Sequence, residues 1–274
     1  MSFSNPHTTS SDSVWQWKEW NSLPYLNCEL LSNWQHGFFT QQWYPRQPEE
    51  LSIALSDRAN TFRVKQVHGN TVLTPQETID LVETSETQFL DADGIITDSV
   101  HQSVWVASAD CNPVLVGDRK TGRVAAIHAG WRGTAQKIVP NAVSRFQSYG
   151  SELKDLAIAI GPAIAGEVYQ VGENVAVEVG QTILKNEKKE SSNQKQAILE
   201  RLLAMENSPL LEDKQPGRVK LDVRRVNQIQ LQQIGIDDEQ IAIAPYCTYQ
   251  QPDYFFSYRR TKQKKVQWSG IVSS

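Results

Sequence analysis

Residues 108–134, SADCNPVLVGDRKTGRVAAIHAGWRGT, hold two short apolar runs joined by a polar loop, with Cys111 before the first run and His128 directly after the second. The run that precedes them, VWVA at residues 104–107, predicts a buried strand, and the return of polarity at Asp110 puts Cys111 where that strand emerges. Residues 114–116 and 124–127 predict two further strands, with GDRKTGR between them as a hairpin loop. That loop resembles a phosphate loop only in its glycines, since Arg and Val stand where Lys and Ser or Thr are required. His128 ends the third strand. Gly130 and Gly133 flank Trp131 and Arg132, a pattern that implies a backbone closely approached by a ligand.

Downstream, apolar residues at Ile138, Val139, Ala142, Val143 and Phe146 have helical spacing, and Pro140 is expected to kink that helix. Residues 156–160 predict a strand delivering the loop GPAIAG and then YQVG, whose glycines lack the following Lys of a phosphate loop. A helix is expected over 221–235, capped by Asp222 and ended by Gly235, followed by a strand at 241–244. Upstream, residues 62–67 and 71–73 alternate around HGN and predict a hairpin with His68 at its tip. In DADGIITD, Asp91 and Asp93 precede a glycine turn, and turn chemistry and a substrate role explain them equally well. His36 in HGFFT reads as a hydrogen-bonded structural histidine, and Trp15, Trp17, Trp20 and Trp34 as core cover. Residues 1–12 are expected to be disordered and 13–274 to form one domain, with a polar surface insertion at about 185–218.

A chain of 274 residues with 39% hydrophobic and 21% charged residues is long enough to bury a sizeable core. Its net charge of -4 leaves no electrostatic footprint for nucleic acid, and the basic cluster at 259–265 reads as a solvated tail. Three cysteines without C-x-x-C spacing argue against a disulfide framework. The polar N-terminus lacks the order of a signal peptide, and no run approaches the ~18 apolar residues of a membrane span. A cytoplasmic protein without membrane partners is expected. Monomer and homodimer stay open.

Only five histidines occur, and His68 and His128 stand with Cys111 at predicted strand or hairpin ends. Two imidazoles and a thiolate form a three-ligand set suited to zinc, with the fourth tetrahedral position open as in catalytic sites. The same residues permit a metal-free reading, with Cys111 as nucleophile, His128 as its base and an Asp orienting the imidazole.

The motifs QVHG at 66–69, SADCNPVLVGD at 108–118 and AAIHAGWRGT at 125–134 resemble those of the YfiH-like family, also known as laccase-domain or multicopper polyphenol oxidase proteins. DADGIITD, IGPAIAG with YQVG, LDVRRVN, and CT with FFSYRR extend the resemblance in order from about residue 36 to 260. It implies an α+β fold of mixed β-sheets sandwiched with helices, and metal ligands at His68, Cys111 and His128. It further implies a zinc-dependent purine nucleoside phosphorylase, with copper as the alternative metal, acting on adenosine, inosine and methylthioadenosine and also deaminating adenosine. The sequence departs from the family at Gln41 and Gln42, where a Gly-rich loop usually follows, at Asn112 for Leu, and at Gln170 for Glu. Five histidines are too few for a trinuclear plus mononuclear copper set, which excludes a laccase mechanism.

Phosphate requires a cation, and Arg132 is the first candidate, with Arg63 second. Cys111, His128, Asp110 and Arg132 are therefore the candidate catalytic residues, and Arg63, Gln66, Asp93 and Cys247 the candidate substrate contacts. Two other readings stay open at this point: an amidohydrolase acting on peptidoglycan precursors, and a non-catalytic metal-buffering protein.

Overall fold

A computed structural model describes residues 14–82, 88–184 and 194–274. The segment 1–12, expected to be disordered, lies outside the described residues.

The three strands around Cys111 and His128 organise the architecture, but they do not share one sheet. β7 (Gln102–Ser108) belongs to a six-stranded sheet with β1 (Trp15–Trp20), β2 (Leu23–Cys28), β3 (His36–Phe39), β4 (Asn60–Arg63) and β15 (Gln267–Val272), in the order β1-β2-β3-β15-β7-β4. β8 (Asn112–Asp118) and β9 (Val124–Ala129) form the expected hairpin in a second sheet with β5 (Val72–Leu73), β6 (Gly94–Ile96), β10 (Leu156–Ile160) and β14 (Ile241–Ile243). Its order is β14-β10-β8-β9-β6-β5. A small third sheet joins β11 (Gln170–Gly172), β13 (Arg218–Leu221) and β12 (Leu210–Glu212).

Strand alternation explains the layering, because successive side chains point to opposite faces of a sheet. Leu115 and Ala126 of the second sheet meet Val104, Val106 and Ile271 of the first, so the two large sheets sandwich one core. Val114, Val116 and Ile127 point the other way, onto α4 (Ile138–Ser148) and α7 (Val223–Gln233). On the outer face of the first sheet Trp105 packs with Phe39, Trp43, Leu51 and Trp268. The remaining helices are α1 (Pro48–Leu51), α2 (Pro75–Val82), α3 (Trp131–Ala135), α5 (Glu173–Gly180), α6 (Gln194–Leu203) and α8 (Tyr258–Thr261). Within the segment 185–218, α6 and β12 bury Leu199, Leu202 and Leu210 against α5 and the third sheet, while residues 185–193 lie outside the described residues.

Two expectations are corrected. The hairpin around HGN does not form: β4 pairs parallel to β7 in the first sheet and β5 parallel to β6 in the second, so the intervening chain crosses between sheets. Alternation identifies a strand but not its partner, and a Gly-Asn turn occurs equally well in a crossover. Pro140 does not kink its helix either. It lies in the first turn of α4, where its missing N–H costs nothing, and the break is at Lys137, in the left-handed region at φ 58. Asp222 caps α7 as expected, accepting from the N–H groups of Arg224 and Arg225.

His36 is the structural residue that its context predicts. Its Nε2 accepts from the Cys28 N–H and its Nδ1 donates to the Trp34 carbonyl.

Candidate metal centre and its cleft

His68 and Cys111 come from two separate links between the large sheets and His128 from β9, and their ligand atoms all lie within 4.8 Å of one another. The two imidazole rings stand edge to face, 5.0 Å between centroids. Each of the three is held by a different device.

His68 has φ 62, a left-handed conformation uncommon for a non-glycine residue. Asp93 stabilises it. The buried Asp93 carboxylate accepts from the N–H groups of Val67 at 3.2 Å, His68 at 2.8 Å and Gly69 at 2.6 Å. Its carbonyl also accepts from the His128 N–H at 2.7 Å, so one residue ties both histidine segments together.

His128 lies inside β9, one residue before its end. Its Nδ1 is 2.8 Å from the Ala107 carbonyl, which can only accept, so Nδ1 carries the proton and Nε2 the lone pair. That carbonyl is itself fixed by Gln66, which donates to it at 2.8 Å and accepts from the Ala107 N–H at 2.7 Å. The Nε2 atom is buried and has no hydrogen-bond partner. A buried nitrogen lone pair left unpaired beside a thiol and a second imidazole is what a metal ligand requires.

Cys111 sits in the short link from β7 to β8, that is, between the two sheets. Asp110 makes the turn at φ 102, its carboxylate accepting from the Thr248 hydroxyl at 2.7 Å and the Arg259 N–H at 2.6 Å. Gly130 leaves the room that the centre needs: a Cβ there would meet Cys111 Sγ at 2.8 Å and His68 Cδ2 at 3.3 Å.

Burial pushes the Cys111 thiol up to about 12, with the charges of Asp110 and Asp93 acting in the same direction and Arg132 against them. Burial, then the neighbouring His68, pulls His128 down to about 4. A neutral imidazole suits a metal ligand, and a bound cation is what would convert such a thiol to thiolate. Without one, Cys111 is a poor nucleophile. The orienting partner of His128 is a carbonyl and not a carboxylate, which further disfavours the metal-free reading. The donor set of two imidazoles and a thiolate fits zinc or a soft copper ion.

The centre forms one wall of a cleft of about 400 Å³, lined also by Ser108, Tyr258, Lys264, Lys265 and Trp268. On the other side of Cys111 a cavity of about 30 Å³ is lined by Asp110, Asn112, Trp131 and Tyr169, among others.

The other sequence candidates are placed differently from expectation. Asp93 and Asp110 have their carboxylates committed to backbone and hydroxyl donors, and Gln66 is bound to Ala107, so all three position the ligand segments. Arg63 is bonded to Glu49 and Gln47 and lines a separate surface pocket. Cys247 is buried, its Sγ accepting from the Ala165 N–H, and lines neither cavity beside the centre. Arg132 is exposed on α3, its guanidinium over the Trp131 ring, and is absent from the cleft lining. Gln170, in β11 of the third sheet, has its side chain bonded to Asp213.

The basic cluster at 259–265 is not a solvated tail. Arg259 donates to the Gln170 carbonyl, Arg260 to the carbonyls of Thr248, Tyr249 and Phe255, and Lys264 and Lys265 line the cleft. Sequence reading missed Ser108, Lys264 and Lys265. The only signal for the lysines was that a charge run followed the ordered FFSYRR motif directly.

Comparisons with known proteins agree with this architecture. A Synechocystis protein named purine nucleoside phosphorylase is 52% identical over 265 residues, covering 97% of this chain and 99% of its own. A Bacteroides thetaiotaomicron protein of the same name is 32% identical, covering 89% of this chain and 92% of its own. Among solved structures, YlmD from Geobacillus stearothermophilus superposes with a TM-score of 0.74 at 22% identity, over 94% of this chain and 98% of that one. YfiH from Bacillus licheniformis gives 0.70 at 22% identity, over 91% and 96%. The sandwich of mixed sheets and helices is thus the fold of those proteins. Among the described residues no helix is long and apolar enough to cross a membrane. Residues 49–272 match the family described as multi-copper polyphenol oxidoreductase laccase, and the chain belongs to that family of YfiH-type proteins.

Proposed function

We propose that this protein is a metal-dependent purine nucleoside phosphorylase, with His68, Cys111 and His128 holding the metal. The observation that carries the reading is the convergence of three ligand side chains, one with an orphaned buried Nε2, in the wall of a ligand-sized cleft. The names of the Synechocystis and Bacteroides relatives support the reaction. Zinc is the proposed metal, with copper as the alternative, on the chemistry of the donor set. A metal held by these three residues would supply Lewis acidity at the wall of the cleft.

In phosphorolysis a phosphate oxygen attacks C1′ of the nucleoside, the C1′–N9 bond breaks with its electron pair leaving on the purine, and the base takes up a proton. The products are the free base and ribose 1-phosphate. The chain's part is to bind and orient both reactants in the cleft. Adenosine, inosine and methylthioadenosine are the proposed substrates. Deamination of adenosine is a second proposed activity, but it needs a group to shuttle protons, and no carboxylate lines the cleft among the described residues. Phosphorolysis therefore ranks first.

The test is incubation of the metal-loaded protein with adenosine, with and without phosphate, and chromatography of the products. Adenine formed only with phosphate, at least about 100-fold slower in Cys111→Ala, is the expected result. Inosine in both conditions would make deamination the principal activity. If neither product forms, the reading fails and release of an amino acid from a muramyl precursor is assayed next.

A further inference from the structure

The charge of the cleft is at odds with that of the chain. The protein carries a net charge of -4, yet among the described residues lining the cleft there is no Asp or Glu, while Lys264 and Lys265 are both part of the lining. Neither lysine forms an ion pair among the described residues, whereas carboxylates elsewhere on the molecule pair with Lys65, Lys120, Lys154 and Lys195. Lys265 is half-buried, its ammonium 5.5 Å from the Tyr44 ring and 5.9 Å from that of Phe256, contacts that leave its charge without a carboxylate partner. A second observation is independent of charge. Ser108, 2% exposed and also in the cleft lining, has a hydroxyl with no hydrogen-bond partner. Cations that no carboxylate has taken up, beside an unpaired buried hydroxyl, describe a subsite for an oxyanion.

We propose that Lys264, Lys265 and the Ser108 hydroxyl form the phosphate subsite of the cleft, in place of Arg132. This rests on the phosphorylase reading for its role, but the binding site itself does not. The ammonium groups would neutralise phosphate, which brings at least one negative charge to the attack on C1′, and the hydroxyl would donate to one of its oxygens. The lysines belong to the segment between α8 and β15, and α8 itself is anchored on Asp110 through the Arg259 N–H. The subsite is thereby tied to the residue that shapes the Cys111 turn.

The experiment measures inorganic phosphate binding to the metal-loaded protein by calorimetry, without nucleoside, and the phosphate KM where turnover is detected. It compares wild type, the Lys264→Ala/Lys265→Ala double variant, Ser108→Ala, Arg132→Ala and, as a control on general charge, Lys18→Ala on β1. The double variant is expected to weaken phosphate binding and raise the phosphate KM about 10- to 100-fold, and Ser108→Ala by a smaller factor. The nucleoside KM should stay within about 2-fold, Lys18→Ala should resemble wild type, and Arg132→Ala should weaken phosphate binding less than the double variant does. No phosphate binding by wild type, unchanged binding in the double variant, or an equal loss in Arg132→Ala or Lys18→Ala would each overturn the assignment. Phosphate bound through the lysines with no nucleoside cleaved would instead support the subsite and reject the phosphorylase reading.

Discussion

Gly130 shows at the residue scale how little space the centre has to spare. Gly130→Ala would place a methyl 2.8 Å from Cys111 Sγ and 3.3 Å from a His68 ring carbon, so two ligands must move. Zinc affinity, measured by competition with a chromophoric chelator, should fall about 10- to 100-fold, while far-ultraviolet circular dichroism stays that of wild type. His68, Cys111 and His128 were legible in the sequence because scarce, chemically distinctive residues stood at strand ends. Asp93, Asp110 and Gln66 were read as facing substrate or the reaction because a side chain's partners are not written beside it. Each turned out to be spent on backbone groups or a hydroxyl. The Ala107 carbonyl, which sets the proton position on His128, could not have been read at all, since every residue type supplies one.

The elements were legible where local chemistry decides them and opaque where partner choice does. The β8–β9 hairpin and the capped helix α7 follow from turn and cap residues, and both are found. The segment around HGN has equally clear strand signals on both sides, but whether β4 and β5 pair with each other or with strands of different sheets depends on burial across the whole sandwich. At α7 the Asp222 carboxylate serves two backbone N–H groups and the Arg224 guanidinium. Asp222→Ala should cost about 1 kcal/mol, lowering the melting temperature by roughly 2–4 °C in calorimetry. Since α7 lies behind the second sheet, the bound metal per chain should not change.

At the scale of the molecule, acid should loosen the sandwich through a histidine remote from chemistry. Burial lowers His36 to about 4, against smaller opposing contributions from its bonds to Trp34 and Cys28. The folded value lies below the unfolded one, so the unfolded chain binds the extra proton first, and stability present above about pH 6.5 is lost as pH falls towards 4. The share of His36 in the loss is about 3 kcal/mol, to be read as the difference in urea midpoints between the metal-free wild type and His36→Gln across that range, because His128, also lowered to about 4, contributes in both. A difference independent of pH between 7 and about 4.5 would contradict it.

The position of β15 in the sandwich has a further consequence, for the order in which a ribosome delivers the parts. β15 is the last strand in chain order, yet it lies between β3 and β7, pairing Ser269 with Phe38 and Val106. A nascent chain that has just made α8 already owns His68, Cys111 and His128. It lacks Trp268 of the cleft wall, and the facing edges of β3 and β7 have nothing to pair with. Translation therefore reaches the complete site only with the closing strand, which pairs both edges at once.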